Sequence, residues 1–172
     1  MAGRKRFLHI APEFCFLREM KKMADLDYVS VDKYDNFADY RMDITDLHLK
    51  SESFDCLLCL HVLEHIPDDL QALREMRRVL KPGAWALIGV PIDHARATTF
   101  ENPHVTSDEE RRKIFGQKDH VRVYGRDIAR RIKQAGFDVV GVDYCECLGS
   151  AEREKYGIIA GEEFFSCKRI ST

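Results

Sequence analysis

Three residues of one pentapeptide carry the groups of a metal site. His61, Glu64 and His65 stand in the order H-x-x-E-H, in which two histidines one helical turn apart bind zinc while the glutamate activates water. That chemistry needs the pentad inside a sustained helix. Here it leaves an apolar run and meets Pro67 two residues after His65, so at most one turn is available, and no further acidic ligand stands out downstream. The zinc-peptidase reading is set aside and no metal ligand is assigned. His61 remains a candidate general base, or a hydrogen-bonding histidine at a strand end. A second polar group, Asp119, His120, Arg122 and Tyr124, reads as substrate-contacting, with His120 also a candidate catalytic residue, or as a solvated loop held by an Asp and Arg pair. Asp32 lies 19 residues after Glu13 at the end of a short apolar run, where a carboxylate accepts hydrogen bonds from ribose hydroxyls in nucleotide-binding folds. The other reading of Asp32 is an exposed strand-end acid.

These residues need strands that end beside one another. Residues 54–60 are almost wholly apolar without helical spacing, as a strand covered on both faces requires. Pro67, Asp68 and Asp69 then open a helix, since an aspartate caps free N–H groups and suits the positive end of the dipole. Leu70, Leu73, Met76 and Leu80 recur on one face, and Lys81-Pro82-Gly83 turns the chain into a second apolar run at 84–90. This is one βαβ unit with a right-handed crossover. Before it, 6–11 reads as a strand, 12–23 as a helix begun by Pro12 and Glu13, 28–31 as a strand ending in Asp32, and 42–44 as a short strand. After it, 92–124 shows no strand-like run, although Ser107 and Glu110 have capping-box spacing before a helix that stops at Gly116. The segment reads as a lid over a substrate. A helix at 125–135 and strands at 138–144 and 158–168, joined by a polar loop, complete the chain.

A chain of 172 residues is the size of one domain, with 1–172 read as a single unit. A net charge of −2 with 33% charged residues argues against a generic nucleic-acid partner, whose phosphates need a surplus of Lys and Arg. The absence of an 18-residue apolar run argues against a membrane span. A soluble, cytoplasmic protein is expected. The six cysteines are not a disulfide scaffold. Cys56 and Cys59 on a strand point to opposite faces, and Cys145 and Cys147, which share a face if strand, are too few for a structural zinc site.

The run FDCLLCLHVLEHIPDD followed by LREMRRVLKPGAWALIGVP resembles the middle of the class I S-adenosylmethionine (SAM) dependent methyltransferases of the type 11 kind, over their fourth strand, its helix and the fifth strand. HIAPE at 9–13 resembles a subgroup in which H-x-A-P-E replaces the glycine-rich loop after the first strand. The resemblance implies a doubly wound, Rossmann-like α/β sheet of seven strands in the order 3-2-1-4-5-7-6, with strand 7 antiparallel and helices on both faces. It implies SAM as cofactor, S-adenosylhomocysteine (SAH) as product and a small or medium acceptor. It places His9, Ala11, Pro12 and Glu13 at the methionine end, Asp32 at the ribose, Asp43 and Ile44 beside adenine, and Leu60 and His61 near the methyl group. Asp43 also reads as an ordinary turn aspartate. Asp119, His120, Arg122 and Tyr124 would meet the acceptor beneath the 92–124 lid. With a start about five residues before the first strand, the amino-terminal segment that covers SAM in the family is expected to be missing or unrecognised. Loss of the glycines raises an alternative, a non-catalytic SAM-binding or scaffold protein of the same fold. No G-x-G-x-x-G follows a strand, so a nicotinamide enzyme is disfavoured.

Overall fold

A computed structural model describes residues 3–143, 149–156 and 163–170. Its sheet is built from β1 (Lys5–Ile10), β2 (Leu26–Asp32), β3 (Tyr40–Arg41), β4 (Phe54–Leu60), β5 (Leu80–Gly89), β8 (Phe137–Asp143) and β9 (Glu163–Arg169). They lie in the order β3-β2-β1-β4-β5-β9-β8. The first five are mutually parallel and β9 runs antiparallel to both β5 and β8. This is the expected order, with the last strand in sequence being the reversed one. The order turns between β1 and β4, so the carboxyl ends of those two strands flank the crevice where ligands of open α/β sheets bind.

Helices α1 (Phe14–Met20), α2 (Asp69–Val79), α3 (Asp108–Phe115), α4 (Ile128–Gln134) and α5 (Ser150–Tyr156) complete the described elements, with two-residue strands β6 (Phe100–Glu101) and β7 (Arg122–Val123) paired antiparallel. The polar stretch expected as a loop before the last strand contains α5, whose Ala, Glu, Arg and Lys residues are good helix formers. The Cys145 and Cys147 pair lies outside the described residues, as do 158–162 of the last expected strand.

The main core joins Leu8, Ile10, Leu57 and Ile88 of the sheet to Leu73 and Met76 of α2 and Ile128 and Ile132 of α4. A smaller cluster of Phe7, Cys56 and Leu58, with Met20 of α1, fills the opposite face. Cys56 and Cys59 fall in different clusters, as alternation requires, and burial pushes both thiols up. Trp85 and Val140 remain 46% and 61% exposed, and Trp85 stands edge-on to Phe7 of the smaller cluster.

Several boundaries differ from the sequence reading for local reasons. α1 begins only at Phe14, because Glu13 has extended backbone (φ −66°, ψ 134°). The expected turn at Lys81-Pro82-Gly83 is an irregularity inside β5, where Phe54 faces Leu80 but Cys56 faces Trp85 and Gly83 takes φ 75°. The third strand ends before Met42, whose N–H donates to the Asp32 carbonyl at 3.0 Å.

The 92–124 segment is tied down. Thr99 donates its N–H and hydroxyl to Asp127 Oδ1, each at 2.7 Å. Gly125 passes so near the Thr98 backbone that a Cβ would lie 2.6 Å from the Thr98 carbonyl carbon. Arg122, 2% exposed, donates to the carbonyls of Leu63 (2.7 Å), Ile66 (2.5 Å) and Pro67 (2.9 Å). Asp69, equally buried, accepts from Tyr124 Oη at 2.8 Å and from Arg131 at 2.7 and 3.1 Å. Removing one member of such a buried charged set leaves its partners unpaired, at about 3–5 kcal/mol. Arg122→Ala is expected to lower unfolding stability by about that amount in urea titrations, whereas a change within about 1 kcal/mol would show that the clamp is replaceable by water.

Candidate functional site

The tips of β1 and β4 are neighbours, with Ile10 paired to Cys59, and each is followed by a residue in the left-handed region. Ala11 has φ 47° and His61 φ 51°. Each is held there by a hydrogen bond to the next strand, Ala11 N–H to the Val31 carbonyl at 2.8 Å and His61 N–H to the Gly89 carbonyl at 2.9 Å. A non-glycine residue in that region costs on the order of 1 kcal/mol or more and clusters where function uses the geometry. Ala11 thus adopts the backbone that a glycine supplies at such a turn. Gly89 has its own reason: a Cβ there would lie 2.9 Å from Leu60 Cδ2 and 3.0 Å from Phe164, so its lack of a side chain lets half-buried Leu60 pack at the tip.

Glu13 follows the β1 turn. Its Oε2 lies 3.4 Å from His9 Nε2, and both atoms are buried without an aligned hydrogen bond. The His9 contact, assisted by the Glu13 backbone, holds the Glu13 carboxyl below its ordinary range against the opposing effect of burial. His9 itself is fully buried. Its Nδ1 is 2.8 Å from Tyr28 Oη, and its ring meets Phe7, Phe16 and Tyr28 edge-on. The expectation that His9 touches a cofactor is corrected: it lies buried beneath α1, against Phe16 and beside Glu13. Pro12 is buried and has no N–H to offer.

At the β2 tip, Asp32 Oδ1 accepts from the N–H groups of Tyr34 (2.6 Å) and Asp35 (2.7 Å). Among the described residues no donor reaches Oδ2, so one oxygen shapes the loop and the other is open to a ligand. Asp43 is held differently. Its Oδ1 accepts from Thr45 N and Oγ1 at 2.9 and 2.7 Å, and its Oδ2 pairs with Lys33 at 2.8 Å. The loop carrying it is fastened to α2, where Glu75 accepts from Leu47 N–H at 2.8 Å and Arg78 donates to the Leu47 and Leu49 carbonyls at 2.6 and 2.8 Å. Ile44 is 5% exposed and belongs to the main core. The expectation that its side chain covers a ligand ring is corrected, since residue 44 points inward to pack with Leu47 and the sheet.

The polar group at 119–124 divides. Arg122 and Tyr124 are fully buried in the clamp described above, which corrects their reading as substrate contacts. Asp119 is exposed, with Oδ2 3.4 Å from His65 Nδ1, and the Asp119 carbonyl lies 3.3 Å from the same nitrogen. His120, 7% exposed, packs its ring edge-on against His65 at 4.8 Å. Burial and the neighbouring His65 lower its pKa below the ordinary value of 6.5. His61 is exposed at the β4 tip, with Nδ1 3.7 Å from Glu64 Oε1. The pentad forms only a three-residue 3-10 turn, Leu63–His65, so the helical peptidase geometry is not made. Instead the turn brings Glu64 and His65 to His120. Glu64 had no role beyond the pentad in the sequence reading, and the 55-residue separation of His65 from His120 left no spacing signal to find it. A cavity of about 580 Å³ lies at the opposite, amino ends of the strands, between Lys5, Leu26, Asp55 and Trp85, away from these groups.

Residues 14–88 match the model of a family described as a methyltransferase domain. An uncharacterised 37.1 kDa protein carried in a transposon of Streptomyces fradiae is 36% identical over 97 residues, which cover 56% of this chain and 28% of that relative; the match thus spans little more than a quarter of the relative's length. Among solved structures, the [4+2]-cyclase SpnF superposes with a TM-score of 0.67 at 14% identity, over 99% of this chain and 77% of the cyclase. Phosphoethanolamine N-methyltransferase 2 of Haemonchus contortus, solved in complex with SAM, superposes with a TM-score of 0.64 at 15% identity, over 99% of this chain and 50% of that one. Over residues 14–88 the chain thus resembles a methyltransferase domain, and its strand order is that of the Rossmann-like methyltransferase fold.

Asp43 provides a pH test of the site. Its hydrogen bond from Lys33, followed by those from Thr45, holds its pKa down at about 2 against an ordinary 3.8. A depressed carboxyl stabilises the fold above the unfolded value and loses that contribution as pH falls through the folded one. Asp43→Asn is therefore expected to be less stable than the parent at neutral pH, with the gap closing between about pH 4 and pH 2. An equal gap at both ends, in denaturant titrations, would contradict the assignment.

Proposed function

We propose that this chain binds SAM across the tips of β1, β2 and β4 and transfers its methyl group to a small acceptor under the 92–124 segment. The observation that carries the reading is the set of acceptors gathered there: Asp32 Oδ2 without a donor among the described residues, Glu13 Oε2 buried beside His9 without an aligned hydrogen bond, and adjacent left-handed turns at Ala11 and His61. The residues suit the molecule. A sulfonium and an ammonium group favour an acid-lined pocket, a ribose diol needs a carboxylate acceptor, and an adenine amine can donate to a lone pair that Asp43 retains beyond its present partners.

When bound, SAM supplies a methyl carbon already activated by its sulfonium. What remains for the chain is alignment and exclusion of water. Asp32 would orient the ribose, Asp43 the base, and Glu13, held by His9, the methionine end. His61, exposed at the β4 tip, is placed to take a proton from an acceptor that must lose one. A second reading, binding without turnover, is favoured by the HIAPE sequence, which has no glycine in the first loop. SpnF carries this fold and is named for a cyclisation, so a fold match leaves the reaction open.

Calorimetric titration with SAM and SAH tests the reading. Asp32→Asn keeps an acceptor for the Tyr34 and Asp35 N–H groups while removing the charge. A charged hydrogen bond contributes about 1.5–3 kcal/mol, so binding is expected to weaken roughly 10- to 100-fold with the circular dichroism spectrum unchanged. A folded protein that gives no heat with either ligand would overturn the proposal, and binding without SAH production from any acceptor pool would favour the second reading.

A further inference from the structure

Glu64 is a buried carboxylate whose recorded charged neighbour is the imidazole of His61. Its side chain is 3% exposed, Oε2 has no hydrogen-bond partner, and Oε1 is 3.7 Å from His61 Nδ1, beyond hydrogen-bond length. Among the described residues no lysine or arginine pairs with it. A carboxylate in that state carries a desolvation penalty of several kcal/mol unless positive charge comes to it. Around it stand two imidazoles. The ligand atoms of Glu64, His65 and His120 all lie within 4.8 Å of one another, and each imidazole already has an outer partner. His65 Nδ1 faces the Asp119 carbonyl, and the His120 ring lies close to the Phe115 backbone. Metal-binding histidines characteristically use one ring nitrogen on such a carbonyl or carboxylate, which fixes the tautomer and leaves the other nitrogen for the ion. The backbone holds the pieces together as well, through Val121 N–H to the Glu64 carbonyl at 2.9 Å and the Arg122 clamp on Leu63, Ile66 and Pro67.

We propose that Glu64, His65 and His120 form a binding site for one divalent first-row cation of the zinc type, at the carboxyl end of β4. Two imidazoles and one carboxylate suit zinc and its neighbours rather than magnesium or calcium, which prefer oxygen ligands throughout. Three protein ligands leave a coordination position open. Ligand atoms around such an ion lie about 3.3–3.6 Å apart for bonds of about 2.0–2.2 Å, so the three side chains must close by a little over 1 Å. Half-buried His65 has room to supply that movement. The site differs from an H-x-x-E-H peptidase centre, because His61 and His65 are not one helical turn apart and the third ligand arrives from the lid. Where the methyltransferase reading holds, the open position lies beside His61 and would take a lone-pair atom of the acceptor. The metal site itself does not depend on that reading.

The test uses the full chain stripped with a chelator and titrated calorimetrically with Zn²⁺ alone, with SAH titrated into a parallel sample. One ion per chain is expected, with at least tenfold weaker binding in Glu64→Gln and in His120→Asn and unchanged binding in His48→Asn, which removes an exposed histidine beside Asp46. Should His120→Asn lose its circular dichroism spectrum, His65→Asn takes its place. Absence of Zn²⁺ uptake by a parent that still binds SAH would overturn the metal site and leave the methyltransferase reading standing. Zn²⁺ uptake without SAH binding would do the reverse. Uptake insensitive to both ligand substitutions, or lost in His48→Asn, would assign the ion to the surface and overturn the proposal.

Discussion

The buried guanidinium of Arg122 is the constraint on which the carboxyl end of β4 depends. It supplies donors to three carbonyls of the turn that ends β4, groups that a 3-10 turn cannot satisfy by itself. Its charge is answered by Asp69 and Glu101 at 3.9 and 3.4 Å, and Arg131 joins both acids at 2.7 Å. One network therefore ties the β4 turn, the first turn of α2, the short β6–β7 ribbon and α4. The 92–124 segment is not a flap laid over a finished domain, since its β7 strand completes the hydrogen bonding of the turn that ends β4. That arrangement also decides what the neighbouring residues can be. Because Arg122 and Tyr124 are spent on the core, His120 and Asp119 are the groups of this stretch left to face the β4 tip.

The two strand tips beside the clamp share a logic. Ala11 and His61 both take left-handed backbone, and both are held by a ladder-like bond to the next strand in the sheet. The chain thereby re-aims itself at the point where strand order reverses, and acceptors from three loops converge there. His9 contributes from below, buried between aromatic rings and pressing on Glu13, so the departure from a glycine-rich loop is a change in how the turn is braced. An alanine can follow the same path where the surrounding structure over-determines it.

How much of this was visible in the sequence depended on whether a local pattern carried the information. The apolar run of 54–60, the Asp68 cap, which the structure confirms through Gln71 N–H at 2.9 Å, and the α2 stripe are local, and they identified the central βαβ unit. The strand order came through resemblance, because periodicity says which face a strand buries and not which strand lies beside it. Ile44, His9, Arg122 and Tyr124 were misread for a related reason: a polar or apolar residue near a strand tip can turn outward or inward, and tertiary packing makes the choice. Tyr124 is decided by Asp69, 55 residues away, and no spacing rule reports such a partner. The Glu64, His65 and His120 group lay beyond reach on the same grounds, with two of its members in plain sight and the third brought in by the clamp.

A crystal structure of the chain grown with SAH would test the central claim, that the adenosine seats across the tips of β1, β2 and β4, most directly. The account predicts ribose hydroxyls at hydrogen-bond distance, about 2.5–3.0 Å, from Asp32 Oδ2, with the homocysteine end beside Glu13 and its sulfur facing the β4 tip. Density for SAH in the cavity near Trp85 at the amino ends of the strands, with Asp32 left solvated, would contradict it.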